Sequence, residues 1–426
     1  MMTARLVVAF AAAAMLGGCT QLTLSWADLE PEGAPATPPA LAAFDDQPEV
    51  ATPVDWAARR PLLQRALERH VYGVMPEASA TRVVSRRVVN ANAYGGRGVL
   101  EEYVIAASAT FGGVSVAVTS ELAPDGFLMS VATPKDAKGP VPVILMETFC
   151  PRWSTLPDPG VTRPEGAEDR KGFALSVETY VFGQYICTPP VEEIVARGYA
   201  IATIFPSEFA PDRRLEGLAE LRRLSAGYAD ETTRWGAIAA WAFAYSRMVD
   251  ALETDPRYAA MIAFGHSRYA KSALLAAAFD ARIDGVVAHQ SGTGGASLNR
   301  DKPGESVASI TATYPHWFAR AYAAHAGREG DMPVDQHHLL ALIAPRPVLL
   351  GNARRDVWSD PNGAFRAAQG ADPVYELLGA RGLTVERLDA FDPEAELAFW
   401  IRPGTHGVVK EDWPAFLRFL DAHFKG

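Results

Sequence analysis

Two hydrophobic rhythms divide the chain. In the earlier part, "TRVVSRRVV", "LEEYVIAAS", "VSVAVTSEL" and "GFLMSVATP" mix apolar and polar positions in rough alternation. That period of two predicts strands, and its mixed character predicts an antiparallel start to a sheet. Later the runs become short and almost continuously apolar: "VPVILME" (141–147), "YAIATIF" (199–205), "MIAFG" (261–265), "DGVVAHQ" (284–290) and "RPVLLGNA" (346–353). Such runs suit strands covered on both faces, as in a parallel sheet.

Helical periods separate most of these runs. From Thr232 to Glu253, the residues Trp235, Ile238, Trp241, Tyr245, Met248, Val249 and Leu252 recur at three- and four-residue steps, which places them on one buried helix face. Another helix is expected from Pro53-Val54-Asp55, with Trp56, Leu62, Leu63, Leu67 and Val71 as its apolar stripe. Strands alternating with helices predict an α/β fold, a mostly parallel sheet with antiparallel N-terminal strands and helices on both faces. The stretches 151–185 and 206–230 show no clear period and are expected to be irregular excursions over the sheet's edge, where substrate-shaping loops lie.

The N-terminus follows neither rhythm. "MMTARLVVAFAAAAMLGGC" carries one positive charge, Arg5, then an apolar stretch from Leu6 to Leu16 and small residues before Cys19. The stretch is too short to span a bilayer, which takes about 20 residues, and has the layout of an export signal. Leu16-Gly17-Gly18-Cys19 is similar to a bacterial lipobox, which makes Cys19 the expected lipidation site. No aspartate follows Cys19, so the expected destination is the outer membrane, with a free periplasmic protein as the alternative. Residues 20–53, rich in Pro and Ala ("EPEGAPATPPALAAF"), are expected to form a tether. The remainder, 54–426, shows no internal repeat or second boundary and is read as one α/β domain.

Composition narrows the partners. The formal charge of −10 over 426 residues argues against a nucleic-acid backbone as partner. After Cys19 the chain holds Cys150 and Cys187, a possible disulfide in an oxidising compartment whose formation spacing alone does not establish. No cysteine cluster has metal-ligand spacing, and neither metal nor cofactor is expected.

Candidate chemistry centres on "AFGHSRYAKSAL" (263–274), where Ser267 stands between a buried strand and a helix. That is the setting of a nucleophile elbow, which lifts a serine hydroxyl above the carboxyl edge of a sheet. A helix N-terminus also favours developing negative charge. Among nine histidines, His266 adjoins the serine too closely to swing onto it. His337 and His338 open a helix, and His423 lies in the terminal one. His406, in the Gly-flanked loop of "RPGTHGVVKEDW", follows the last strand and is the expected general base. Asp356, in "RRDVWSDP" after the strand "RPVLLGNA", is the expected acid, while Asp360 caps the next helix or faces away. The order Ser267, Asp356, His406 is that of α/β-hydrolases.

With these residues in place, the chain resembles the glucuronoyl esterases, carbohydrate esterase family fifteen, in their bacterial branch. The family pattern Gly-x-Ser-Arg-x-Gly-Lys reads here Gly265-His266-Ser267-Arg268-Tyr269-Ala270-Lys271. Further blocks are similar: "RWGAIAAWAFAYSRMVDALETDPR", "QSGTGGASLNR", "PHWF", "DQHHLLALIAPRPVLL" and "DVWSDPNG". The resemblance implies an α/β-hydrolase fold and hydrolysis of glucuronic or 4-O-methyl-glucuronic acid esters, such as those joining glucuronoxylan to lignin, without a cofactor. It implies that Arg268 serves the oxyanion and that Lys271, Glu305 and Trp358 contact the sugar. Ala270 departs from the family glycine, and its extra methyl is expected to crowd the helix. Gln290 stands where some members carry a catalytic glutamate; an amide orients a histidine but supplies no charge, so the acid role falls on Asp356. A monomer is expected, contacting membrane only through its anchor. Two alternatives remain: an esterase of other specificity on the same triad, such as a carbohydrate acetyl esterase, and a non-catalytic polysaccharide-binding lipoprotein.

Overall fold

Both kinds of hydrophobic segment join a single ten-stranded sheet in the computed structural model, which describes residues 37–77, 80–167, 172–301 and 303–425. The strands are β1 (Arg82–Ala93), β2 (Gly98–Phe111), β3 (Val114–Val118), β4 (Phe127–Pro134), β5 (Val141–Glu147), β6 (Ala200–Ile204), β7 (Tyr258–His266), β8 (Gly285–His289), β9 (Val348–Ala353) and β10 (Leu397–Arg402). Their order is β1-β2-β4-β6-β5-β7-β8-β9-β10, with β3 paired to β2. Pairings among β1 to β4, and of β4 with β6, are antiparallel. From β6 through β10 every pairing is parallel.

The continuous apolar runs have a direct cause. Every residue of β5, β6, β8 and β9 is buried. Alternate side chains feed two separate cores. Val143, Leu145, Met261, Ala263, Val348 and Leu350 point into one; Ile144, Met146, Ile262, Phe264 and Leu349 point into the other. The first core is covered by helices α1 (Pro53–Leu67), α2 (Ala237–Leu252), α3 (Arg268–Phe279) and α4 (Pro361–Leu377). The second is closed by α5 (Asp412–Phe424), through Trp413, Phe416, Leu417, Phe419 and Leu420.

Several expectations are corrected. The folded body begins before residue 53. Ala40 and Val50 are buried, and Arg59 of α1 donates to the carbonyl of Ala42 at 2.9 Å and to that of Pro48. Only the part of the expected tether before Thr37 remains outside the described residues, together with the expected export signal and Cys19. The stretches read as irregular contain helices Gly172–Phe182 and Arg214–Leu224. In the second, leucines recur every third residue, but Leu215 is exposed and only Leu221 and Leu224 are buried. Too little apolar surface is hidden there to give a readable stripe. Cys150 and Cys187 are disulfide-bonded, with Cα atoms 5.3 Å apart. Among the described residues no helix is long and apolar enough to cross a membrane.

Candidate active site

β7 delivers Ser267 to the carboxyl edge of the sheet, and the chain turns at once into α3. The turn is tight enough to place Ser267 at φ 55°, ψ −122°, a conformation that costs an ordinary residue about 1–3 kcal/mol. Gly265 is required by the same geometry, since a Cβ there would lie 2.0 Å from the carbonyl oxygen of Tyr269. The serine's own N–H donates to His289 O across the strand pair at 2.8 Å, which helps hold the bend. Tyr269 is a core residue: its buried ring packs on Phe149 and Trp241, with centroids 4.8 and 5.1 Å away. Ala270 fits in the core without exposure.

His406 comes to the same place from the loop after β10. Its ring lies 4.7 Å, centroid to centroid, from that of His266, the neighbour of Ser267. Nδ1 is 2.6 Å from Asp356 Oδ2, which leaves Nε2 as the nitrogen able to serve a hydroxyl. Asp356 is buried at the end of β9, and its other oxygen accepts from Ser359 N at 3.2 Å. Burial pushes this carboxyl up, but His406 and the hydrogen bonds from His406 and Ser359 together hold it below its ordinary value. The anion is therefore the stable form beside the imidazole. Asp360 faces elsewhere and caps α4 through Gly363 N.

Two buried side chains grip the loop by its backbone. Gln290, left-handed at φ 52° after β8, accepts from Gly407 N at 2.8 Å and donates to Thr405 O at 3.4 Å. It brackets the histidine without touching its ring nitrogens. Arg402 donates to Gly407 O at 2.8 Å and Thr405 O at 3.2 Å. Arg402 is itself paired with Asp412 at 2.8 Å, whose carboxyl burial pushes up to about 6. Beneath the ring, His266 and His289 share a 3.1 Å Nδ1···Nδ1 contact. Burial, then neighbouring positive groups, drives both well below the usual imidazole value, so both are neutral.

Arg268 directly follows the serine as the first residue of α3. Its guanidinium carbon is 5.4 Å from the Phe149 ring centre and 5.0 Å from that of Trp317. One terminal nitrogen pairs with Asp212, whereas its Nε is buried without a hydrogen-bond partner. A quarter of the side chain (25 %) is still exposed, at atoms other than the buried Nε. A guanidinium with an open edge beside a nucleophile suits an acceptor brought by substrate.

The sugar-side candidates form one patch, with a departure from expectation at Lys271. Its ammonium is buried and donates to Ser291 O and, at 2.7 Å, to Thr293 O. The turn after β8 thus takes two of the three donors of this ammonium. Thr293 Oγ1 in turn donates to Glu305 O, and Glu305 N donates to Trp358 O at 3.3 Å. Glu305 is buried, while Trp358 is 51 % exposed and presents the open aromatic surface of the patch.

Asp212, Ser359, Arg402 and Asp412 escaped the sequence reading, as did the role of Phe149 and Trp317. The block "PHWF" holds His316 and Trp317, both partners of Asp212, and was the one available signal. His337 and His338 belong to a helix start, where Asp335 N donates to His338 Nδ1 at 3.2 Å. Among the described residues no group of three or more His, Cys, Asp or Glu is placed to hold a metal ion.

Comparison with known proteins places the chain in a family. Residues 227–379 match the family model described as glucuronyl esterase of fungi. The chain is 33% identical over 389 residues to "Carbohydrate esterase MZ0003" from an unknown prokaryotic organism, covering 86% of this chain and 85% of that one. Two solved structures cover 92% of it. One is a promiscuous esterase of the same family from a marine bacterial metagenome, with TM-score 0.77, 30% identity and 98% of its own length covered. The other is the glucuronoyl esterase of Solibacter usitatus, with TM-score 0.75, 31% identity and 99% covered. The elbow, the sheet order and these likenesses converge: the chain is a carboxylic ester hydrolase of the α/β-hydrolase fold and belongs to carbohydrate esterase family fifteen, the glucuronoyl esterases.

Proposed function

We propose that the protein cleaves esters of glucuronic or 4-O-methyl-glucuronic acid, as in lignin–glucuronoxylan linkages, by a Ser267-His406-Asp356 triad. The observation that carries the proposal is the 2.6 Å His406–Asp356 contact on a loop that lays the ring beside the elbow. Ser267 Oγ attacks the uronoyl carbonyl carbon while His406 Nε2 takes its proton, and Asp356 stabilises the imidazolium. The negative charge that develops on the carbonyl oxygen meets the Arg268 backbone N–H and the exposed edge of its guanidinium. His406 then protonates the leaving alkoxide, and the alcohol departs. Water attacks the acyl-enzyme, gives its proton to His406 and releases the uronic acid as Ser267 is restored.

Trp358, half exposed beside Glu305, supplies an apolar face for the sugar ring. Glu305 and Lys271 shape the floor beneath it. The test is hydrolysis of methyl or benzyl glucuronate with Ser267→Ala as control. Turnover is expected to fall by about 10⁶-fold; activity retained in the variant would remove the triad.

A carbohydrate acetyl esterase, or a broader esterase, draws support from Lys271, two of whose three N–H donors are held by backbone carbonyls. A higher kcat/KM on acetylated xylan than on glucuronate esters would favour it. The N-terminal reading belongs with the proposal: cleavage before Cys19, lipidation there, and a monomer held at the outer membrane. Mass spectrometry of the mature N-terminus tests it.

A further inference from the structure

Asp212 gathers three donors on one carboxylate. Oδ2 pairs with the Arg268 guanidinium. Oδ1 accepts from His316 Nε2 at 3.0 Å and from Trp317 Nε1 at 2.7 Å. His316 is buried, and burial together with Arg268 pushes it down to about 4, so it is a neutral donor at physiological pH. Arg268 and Asp212 therefore form a pair of no net charge, walled by Phe149 and Trp317. Glu305 is a second carboxylate whose field reaches the guanidinium.

The chemistry at this spot changes the charge of what is bound. The substrate is a neutral ester, but the released acid ionises to a carboxylate, its proton passing to solvent. An uncompensated guanidinium in an aromatic slot binds a carboxylate firmly, through charge-assisted and often bidentate hydrogen bonds. A guanidinium already paired still offers its remaining N–H groups to a transient oxyanion, yet it has little net attraction for a free anion. We propose that Asp212 is a positioning residue that holds the Arg268 guanidinium in its aromatic slot beside the oxyanion and, by cancelling its charge, lets the acid product leave. The proposal rests on the substrate class argued above, and it reaches beyond it to product release.

The experiment measures product inhibition by sodium glucuronate during hydrolysis of its methyl ester, and glucuronate binding by calorimetry. In Asp212→Asn, which keeps an oxygen acceptor but not the charge, the inhibition constant is expected to fall by about tenfold or more. KM for the neutral ester should move by less than about twofold, since the ester carries no charge to respond. Asp212→Glu, which restores the charge, should return the inhibition constant toward that of the unaltered protein. Equal inhibition constants in all three proteins would overturn the proposal.

If Asp212→Asn fails to fold, the salt dependence of glucuronate binding to the unaltered protein decides. A compensated arginine gives a shallow dependence; a steep one refutes compensation. Acetate serves as a second anion. If the methyl ester is not hydrolysed at all, the substrate assignment fails, whereas the anion affinities still judge Asp212.

Discussion

The two flanks of Ser267 are built on opposite plans. On the base side, the scaffold grips the backbone. Gln290 and Arg402 hold Thr405 and Gly407, while the His406 ring meets Asp356 and Ser359 through Nδ1 and lies over the His266 ring. On the oxyanion side, the scaffold grips the side chain. The Arg268 guanidinium is wedged between two rings and tied to a carboxylate. The difference follows from what each group must do. A base gains and loses a proton twice per turnover, so its ring needs one steady partner and freedom at the other nitrogen. An oxyanion donor works by already pointing the right way, so immobility is its contribution.

Altered proteins can sharpen or break that contrast. Asp356→Asn should be the most damaging on the base side, lowering kcat by about 10⁴-fold because an amide stabilises neither the correct tautomer nor the imidazolium. Steady-state kinetics on a glucuronate ester measures it; a loss below tenfold would mean another group supplies the charge. Arg268→Met, which keeps much of the stem between the two rings, should lower kcat by about 100- to 1000-fold. Gln290→Ala should cost less, up to about 100-fold in kcat, because the loop shifts while its chemistry survives. KM should stay near its starting value in that variant. A change confined to KM would show that Gln290 shapes the sugar pocket instead of the loop.

Much of this architecture could be read from residue order. The buried runs located the strand ends, and Ser267, Asp356 and His406 each follow one. Those signals are local. What escaped notice depends on contacts between distant segments: Asp212 meets His316 and Trp317, which lie 104 and 105 residues further on. It sits in a stretch whose apolar residues show no period. Lys271 illustrates a partial success. Helical spacing correctly placed it one turn beyond the serine, but spacing carries no account of carbonyls. The turn from Ser291 to Thr293 leaves two of them beside the ammonium, and it bonds to them. Gln290 was singled out for what its amide lacks. Its actual partners are backbone groups, which no side-chain pattern announces.

The disulfide has a practical bearing on the oxyanion flank. Cys150 directly follows Phe149, the ring that closes the Arg268 slot, and its bond to Cys187 fastens that corner across 37 residues. Such bonds persist in oxidising surroundings and are rare in a reducing cytosol. Where the chain folds therefore decides how this wall is finished. Protein recovered from a reducing host would keep Ser267, His406 and Asp356 in sequence but leave the Phe149 wall unstitched.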